Sequence, residues 1–311
     1  MRVDKTGGHV AALLCSLYES SALITMRAKY LTGLIGAPIA QSAAPAMHEQ
    51  AAEALGVRCH YQLIEIAGAD PTTLRALLDG VRRLGFAGVN VTFPYKEAVI
   101  PLLDEMSARA RDIGAVNTVV VHDGRLIGHN TDTTGFERAT AEAGVVADRG
   151  AVALIGAGGV GKAIAFALAN LGVAELGIFD ADRAKAEALA MQLRGRMQAR
   201  VADDVASALQ GAGGVVNATP VGMLPDRGMA VPEALLHRDL WVADAVYTPL
   251  WTPLLTAAKA KGAKVMTGRE LAIYQAADAF ELFTGLVPPI AEMGNAFDAV
   301  MAKRYAAPST A

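Results

Sequence analysis

The stretch Gly156-Ala157-Gly158-Gly159-Val160-Gly161 narrows the possible folds of this chain more than any other. It spells G-x-G-x-x-G directly after the apolar run Ala151 to Ile155 and directly before the Ala-rich run Val160 to Leu171. Strand, glycine turn and helix in that order make a phosphate cradle, whereas the same letters in an ordinary loop lack both flanks. Gly156 permits the tight turn, Gly158 lets the backbone approach a pyrophosphate, and Gly161 lets the helix pack close to the strand. The whole run, with Ala157, Gly159 and Val160, is assigned to a dinucleotide whose anion faces the free N–H groups of the helix start. Asp180 follows the next apolar run, Glu175 to Phe179, where an adenosine ribose should lie. A carboxylate there accepts hydrogen bonds from both ribose hydroxyls and repels a 2′-phosphate. Ala181-Asp182 adds a second negative charge, so NAD is expected over NADP. Arg183 is the cation able to swing toward a phosphate, and it joins the cofactor set. A compatible alternative has Asp180 capping the following helix.

Around this unit, β-rich runs alternate with Ala/Leu-rich stretches, the pattern of an α/β protein with parallel βαβ units. Strands are expected at Tyr30–Gly36, Cys59–Ile66, Gly88–Phe93, Ala151–Ile155, Glu175–Phe179, Gly214–Ala218, Trp241–Ala245 and Lys264–Met266. Helices are expected at Pro45–Leu55, at Pro71–Leu84 behind an Asp70 cap, and at Tyr95–Met106, Val160–Leu171, Arg183–Leu193, Pro253–Lys261, Arg269–Phe283 and Ile290–Arg304. Asp123-Gly124 between Val116–Val121 and Arg125–Gly128 reads as a hairpin turn.

Apolar residues make up 53 % of the 311, enough for two cores, so two domains are expected and disorder is excluded. Lys and Arg number 28 against 31 Asp and Glu, which leaves no broad positive field for nucleic acid. Cys15 and Cys59 form no C-x-x-C pair, so no thiolate metal site is expected, and a reducing cytoplasm fits. The run Val10–Leu17 is too short to cross a bilayer. Arg2 and Lys5 precede it, but no clean cleavage site follows, and residues 1–25 read as a disordered extension. Monomer and homodimer are equally compatible with the sequence.

No tyrosine is followed four positions later by lysine, which removes one common dehydrogenase arrangement, and sparse His and Cys remove a zinc alcohol dehydrogenase. His48 and His129 read as packing residues. Uncharged hydrogen-bonding groups instead crowd Asn90-Val91-Thr92-Phe93-Pro94-Tyr95-Lys96, Ala115-Val116-Asn117-Thr118 and His129-Asn130-Thr131-Asp132. Such a density suits a polyhydroxylated substrate.

These segments resemble the shikimate dehydrogenase family, over about Tyr30 to Gly285 and in the family's order. Further markers are Gly36-Ala37-Pro38-Ile39 with Ser42 and Pro45, Asn217-Ala218-Thr219-Pro220-Val221-Gly222-Met223, Asp244-Ala245-Val246-Tyr247 with Pro249, and Gln275-Ala276-Ala277. The acid after the second cofactor-domain strand is similar to the NAD-linked quinate/shikimate subgroup. The resemblance implies a substrate domain of residues 26–132 plus 269–311, with a Rossmann-like NAD domain of residues 133–268 inserted between. It implies shikimate or quinate as substrate, interconverted with the 3-dehydro acid, and no membrane or nucleic-acid partner. Lys96 and Asp132 become the catalytic pair, read as one coupled unit without assigning the proton to either. Ser42, Thr92, Asn117, Tyr247 and Gln275 fall on substrate positions, with Asn90 supporting them. Asn217, Thr219, Met223, Val246 and Gly268 fall on the cofactor side. Many relatives carry a histidine and a second hydroxyl where this chain has Gln41 and Ala44, removing a carboxylate hydrogen bond of roughly 1.5–3 kcal/mol. Two alternatives accompany this reading: a sensing module that binds without turnover, and a dehydrogenase of an aminoshikimate-like cyclic acid. Hinge motion is expected near Asp132–Gly135 and Gly268.

Overall fold

Two six-stranded sheets, joined by helices, make up the computed structural model, which describes residues 27–145 and 150–306. The disordered extension expected over residues 1–25 lies outside the described residues. The first sheet contains β1 (Lys29–Gly36), β2 (Arg58–Glu65), β3 (Gly88–Val91), β4 (Glu105–Met106), β5 (Thr118–His122) and β6 (Arg125–His129), in the order β2-β1-β3-β5-β6-β4. β1 pairs in parallel with β2 and β3, while β5 and β6 form an antiparallel hairpin beside β3. Its turn residues Asp123 (φ 48°) and Gly124 (φ 71°) are both left-handed, the conformation a two-residue hairpin loop requires.

The second sheet contains β7 (Ala151–Ile155), β8 (Glu175–Phe179), β9 (Gln198–Val201), β10 (Ala212–Asn217), β11 (Trp241–Asp244) and β12 (Lys264–Met266). All its pairs are parallel, in the order β12-β11-β10-β7-β8-β9. The strand order reverses between β7 and β10, and the carboxyl ends of those strands flank the crevice where doubly wound sheets bind ligands. The glycine loop follows β7 directly.

The helices are α1 (Ala44–Ala54), α2 (Pro71–Arg83), α3 (Ala108–Ile113), α4 (Asp132–Ala143), α5 (Gly159–Asn170), α6 (Arg183–Gln192), α7 (Val205–Ala208), α8 (Pro253–Ala260), α9 (Gly268–Thr284) and α10 (Ile290–Ala306). α2 shows the local logic: the Asp70 carboxylate accepts from the Thr73 amide, Pro71 opens the helix, and Leu74, Leu78 and Val81 form one buried stripe. The helix expected over Tyr95–Met106 is absent. That stretch holds a single 3₁₀ turn, Ile100–Leu102, and the short strand β4, because Pro101 has no N–H to return to the Glu97 carbonyl. Asp104 instead binds the Leu126 amide (2.7 Å) and Arg82 (3.1 Å), fastening β4 beside the hairpin.

α9 and α10 return to the first sheet's side, where Ile273, Phe280, Met293 and Phe297 pack on Met47 and Ala51 of α1. A separate core joins the sheets: Ile113, Ala115, Phe136 and Ala139 are buried with Leu154, Ile164, Phe166 and Leu168. α5 therefore touches both halves. Asp132–Gly135, expected as a hinge, is the first turn of α4, and a Cβ on Gly135 would stand 2.8 Å from the Gln275 backbone nitrogen.

Candidate active site

The buried strand β3 delivers Asn90 and, just past its end, Thr92; the chain then turns through Pro94 to Lys96. The Lys96 carbonyl accepts from the Val116 amide (2.8 Å), which fixes the lysine beside the segment carrying Asn117. Lys96 Nζ donates to Asp132 Oδ2 at 2.5 Å, and both side chains are about nine-tenths buried. Asp132 opens α4, where the helix dipole favours a negative charge. Its other oxygen accepts from Asn117 Nδ2 (3.0 Å), and its backbone N–H donates to Asn130 Oδ1 (3.1 Å). A buried ion pair held this way leaves neither charge stranded.

The network continues inward. Asn117 Oδ1 accepts from the Thr131 amide (2.8 Å) and from Thr118 Oγ1 (3.0 Å). Asn90 Nδ2 donates to Thr118 Oγ1 (2.9 Å), and Asn90 Oδ1 accepts from the Tyr61 hydroxyl (2.8 Å). Tyr61 is 3 % exposed, and burial pushes its hydroxyl well above the usual phenol range. Tyr61 is not among the residues the sequence marks for the site; its only signal there is an inward place in the alternation of β2.

A cavity of about 180 Å³ opens on this network. Ser42, Asn90, Thr92, Asn117, Tyr247 and Gln275 line it together with Lys96 and Asp132, and Tyr61 joins them. Leu34, Met47, Leu271 and Phe297 supply an apolar wall. Ser42 Oγ accepts from the Ala44 amide (3.2 Å), which leaves its proton to donate; Gln275 Nε2 bonds the Ala272 carbonyl (2.9 Å), which leaves its oxygen to accept. The Tyr247 ring packs edge-on against Phe297, with centroids 5.6 Å apart, and burial raises its hydroxyl. Ala44 lies in the cavity wall, whereas Gln41 is exposed. His48 is buried behind Tyr61, and His129 ends β6.

Val160 and Gly268 line the same cavity, so the glycine loop and the polar network share one space. Gly156 has φ +103°, and a Cβ on Gly161 would stand 2.1 Å from the Gly156 carbonyl oxygen, so both positions exclude a side chain. Gly158 is the N-cap of α5, has no side-chain cap, and has nothing within 4 Å of where its Cβ would be. Free amides below open space fit a dinucleotide pyrophosphate. Asp180 Oδ2 accepts from the Ala157 amide (2.7 Å) and Oδ1 from the Asp182 amide (2.8 Å), tying the loop to the end of β8. The cap of α6 is Asp182, not Asp180. Arg183 is held by Asp203 (2.5 Å) and Glu187 (2.9 Å).

Asn217 is fully buried and shapes its loop: Nδ2 donates to the Val221 carbonyl (3.1 Å) and Asp244 Oδ1 (2.9 Å), while Oδ1 accepts from the Thr219 amide and hydroxyl. Asp244 also accepts from the Val246 amide (3.0 Å) and Thr252 Oγ1 (2.7 Å), yet burial pushes its carboxyl up to about 6. Met223 is 41 % exposed, and Val246 is buried. Among the described residues no helix is long and apolar enough to cross a membrane, and no group of three or more His, Cys, Asp or Glu could hold a metal ion.

The profile of the shikimate dehydrogenase substrate binding domain matches residues 34–119. A quinate/shikimate dehydrogenase (NAD(+)) of Corynebacterium efficiens is 46 % identical over 275 residues, covering 86 % of this chain and 97 % of that protein. A shikimate dehydrogenase (NADP(+)) of Streptomyces avermitilis is 45 % identical over 83 % of this chain and 91 % of its own length. Among solved structures, quinate dehydrogenase from Corynebacterium glutamicum in complex with NAD has a TM-score of 0.81 at 43 % identity, covering 88 % of this chain and all of that one. Shikimate 5-dehydrogenase from Thermus thermophilus in complex with NADP(H) and shikimate has a TM-score of 0.78 at 38 % identity, over 87 % of this chain and 99 % of that one. With this identity over nearly the full length of its relatives, the chain belongs to the shikimate dehydrogenase family.

Proposed function

We propose that this protein oxidises the ring secondary alcohol of shikimate and/or quinate with NAD, and reduces the 3-dehydro acid in the reverse direction. The observation that carries the reading is the buried Lys96–Asp132 pair, in a cavity whose wall also includes Val160 of the glycine loop. Residues 26–132 with 269–311 form the substrate half, and residues 133–268 the NAD half. When bound, the nicotinamide supplies the acceptor for the hydride that leaves the ring carbon. The chain's own residues manage the rest. Lys96 and Asp132 together take the hydroxyl proton in oxidation and return it to the carbonyl oxygen in reduction. Asn117 fixes Asp132, Asn90 and Tyr61 fix Asn117 through Thr118, and Ser42, Thr92, Tyr247 and Gln275 hold the carboxylate and ring hydroxyls. The apolar wall excludes water from the reacting centre. The protein works in the cytoplasm as a monomer or homodimer.

Relatives using either cofactor are almost equally similar, so the preference rests on the residues: the Asp180 carboxylate beside the loop, and an Arg183 already neutralised by Asp203 and Glu187. Comparing kcat/KM for shikimate and quinate with NAD and with NADP tests the reading. NAD should win with either acid. Asp180→Asn keeps an acceptor for the Ala157 amide but removes the charge, and should narrow the NAD/NADP ratio by about tenfold or more. Binding of both ligands without any rise in reduced-nicotinamide absorbance would favour the sensing module instead.

A further inference from the structure

Two consecutive residues of the catalytic loop touch the helix that carries the cofactor loop. A Cβ on Gly159 would stand 3.1 Å from Lys96 Cδ and 3.4 Å from Lys96 Cβ, so the lysine's alkyl stem lies across the bare first residue of α5. Glu97 Oε2 pairs with Lys162 Nζ at 2.8 Å, one helical turn further along α5. The Lys162 side chain is only 11 % exposed, although its partner Glu97 is half exposed. A cation in the first turn of a helix opposes the macrodipole, and burying it adds a desolvation cost. Glu97 offsets both. Thr133 Oγ1, next to Asp132, also donates to the Ala163 carbonyl of α5 (3.3 Å). Both members of the catalytic pair therefore have a sequence neighbour bonded to the same helix.

The geometry points to Glu97, Lys162 and Gly159 as positioning residues for the proposed reaction: the Glu97–Lys162 pair presses the Lys96 stem onto Gly159, so the helix that receives the cofactor also sets where the Lys96 ammonium sits. Gly159 thus has a second task, leaving room for lysine methylenes. Lys162 acts through Glu97 and not on substrate. The inference rests on the dehydrogenase reading, since it assigns these residues a part in that turnover.

The test uses the full chain and the variants Glu97→Ala, Lys162→Ala, their double, and the charge exchange Glu97→Lys/Lys162→Glu. Turnover, NAD affinity by calorimetry, Tm, and the acetic anhydride labelling rate of Lys96 by mass spectrometry are measured for each. Each single alanine variant should lower kcat about tenfold, since small misplacements of a reacting group are costly. Lys96 labelling should rise severalfold. The double variant should be no worse than the poorer single, and the charge exchange should recover most of kcat and restore slow labelling. Gly159→Ala should lower kcat while the charge pair stays intact. Additive losses, an exchange that recovers nothing, or a lowered Tm with kcat and labelling unchanged would each overturn the inference. Turnover by the parent chain reports separately on the dehydrogenase reading, and labelling reports on the positioning of Lys96 even without turnover.

Discussion

Replacing Lys96 by alanine should lower kcat for shikimate or quinate oxidation by about 10²- to 10⁴-fold, the range a positioned acid–base group contributes. Lys96 is the lysine that lines the cavity, and its ammonium is bonded to Asp132. Its loss removes the proposed proton-handling group and leaves the buried Asp132 carboxylate with Asn117 and the helix dipole alone. An unpaired buried charge costs stability on the order of 3–5 kcal/mol, so Lys96→Ala by itself confuses chemistry with folding. Lys96→Met keeps the alkyl stem on Gly159, and Asp132→Asn removes the opposite charge; both should lose kcat to a similar degree. The double Lys96→Met/Asp132→Asn variant strands no charge, so it should regain Tm while recovering no activity. Its kcat should be no lower than that of the worse single, because residues acting as one unit are not additive. Single-turnover absorbance of reduced nicotinamide, with Tm for each variant, reads all of this. A Lys96→Met enzyme within a few-fold of the parent would reduce the pair to a structural ion pair.

Local chemistry made much of this molecule legible from its letters. The glycine loop, the Asp123-Gly124 turn and the Asp70-Pro71 helix start each carry their instruction within a few residues, and the structure has them as strand-to-helix turn, hairpin and capped helix. What escaped depends on distant partners. α4 begins Asp-Thr-Thr-Gly, a poor helical sequence, and forms against α9, with Arg138 and Thr134 bonded to Asp278. β9 is a four-residue strand whose Arg200 is fixed by Glu175 and by the carbonyls of Ser207 and Ala208. In the site, Tyr61 matters through Asn90, on another strand, and nothing in its neighbours signals the bond. Asn217 shows the converse: its loop motif is plain in the sequence, but only the fold reveals that Asp244 and Val221 occupy its amide.

Replacing His48 by leucine or phenylalanine should remove a large acid-sensitive component of stability. His48 is 1 % exposed on the buried face of α1, with its ring 4.6 Å from Tyr61, 6.0 Å from Phe280 and 5.9 Å from Phe283. Neither ring nitrogen has a hydrogen-bond partner, and burial lowers its pKa from 6.5 to about 3. The unfolded chain therefore binds the proton more readily than the folded one. Its stability contribution is complete above pH 6.5 and falls by roughly 1.4 kcal/mol per pH unit as pH drops toward 3, about 4–5 kcal/mol in all. Asp244 works in the opposite sense: its carboxyl, raised from 3.8 to about 6, favours the folded state increasingly as pH falls from 6 to 3.8. Over that interval the two slopes nearly cancel, so the parent's own pH profile conceals the histidine. The informative quantity is the difference in unfolding free energy between variant and parent, from urea titrations at a series of pH values, because Asp244 and the other carboxylates are common to both. That difference should be flat above pH 6.5 and shift toward the variant by about 3 kcal/mol between pH 6.5 and 4. A difference that stays constant across this window would mean that the folded protein accepts the imidazolium, and the apolar contacts around His48 would then have to open to water as it charges.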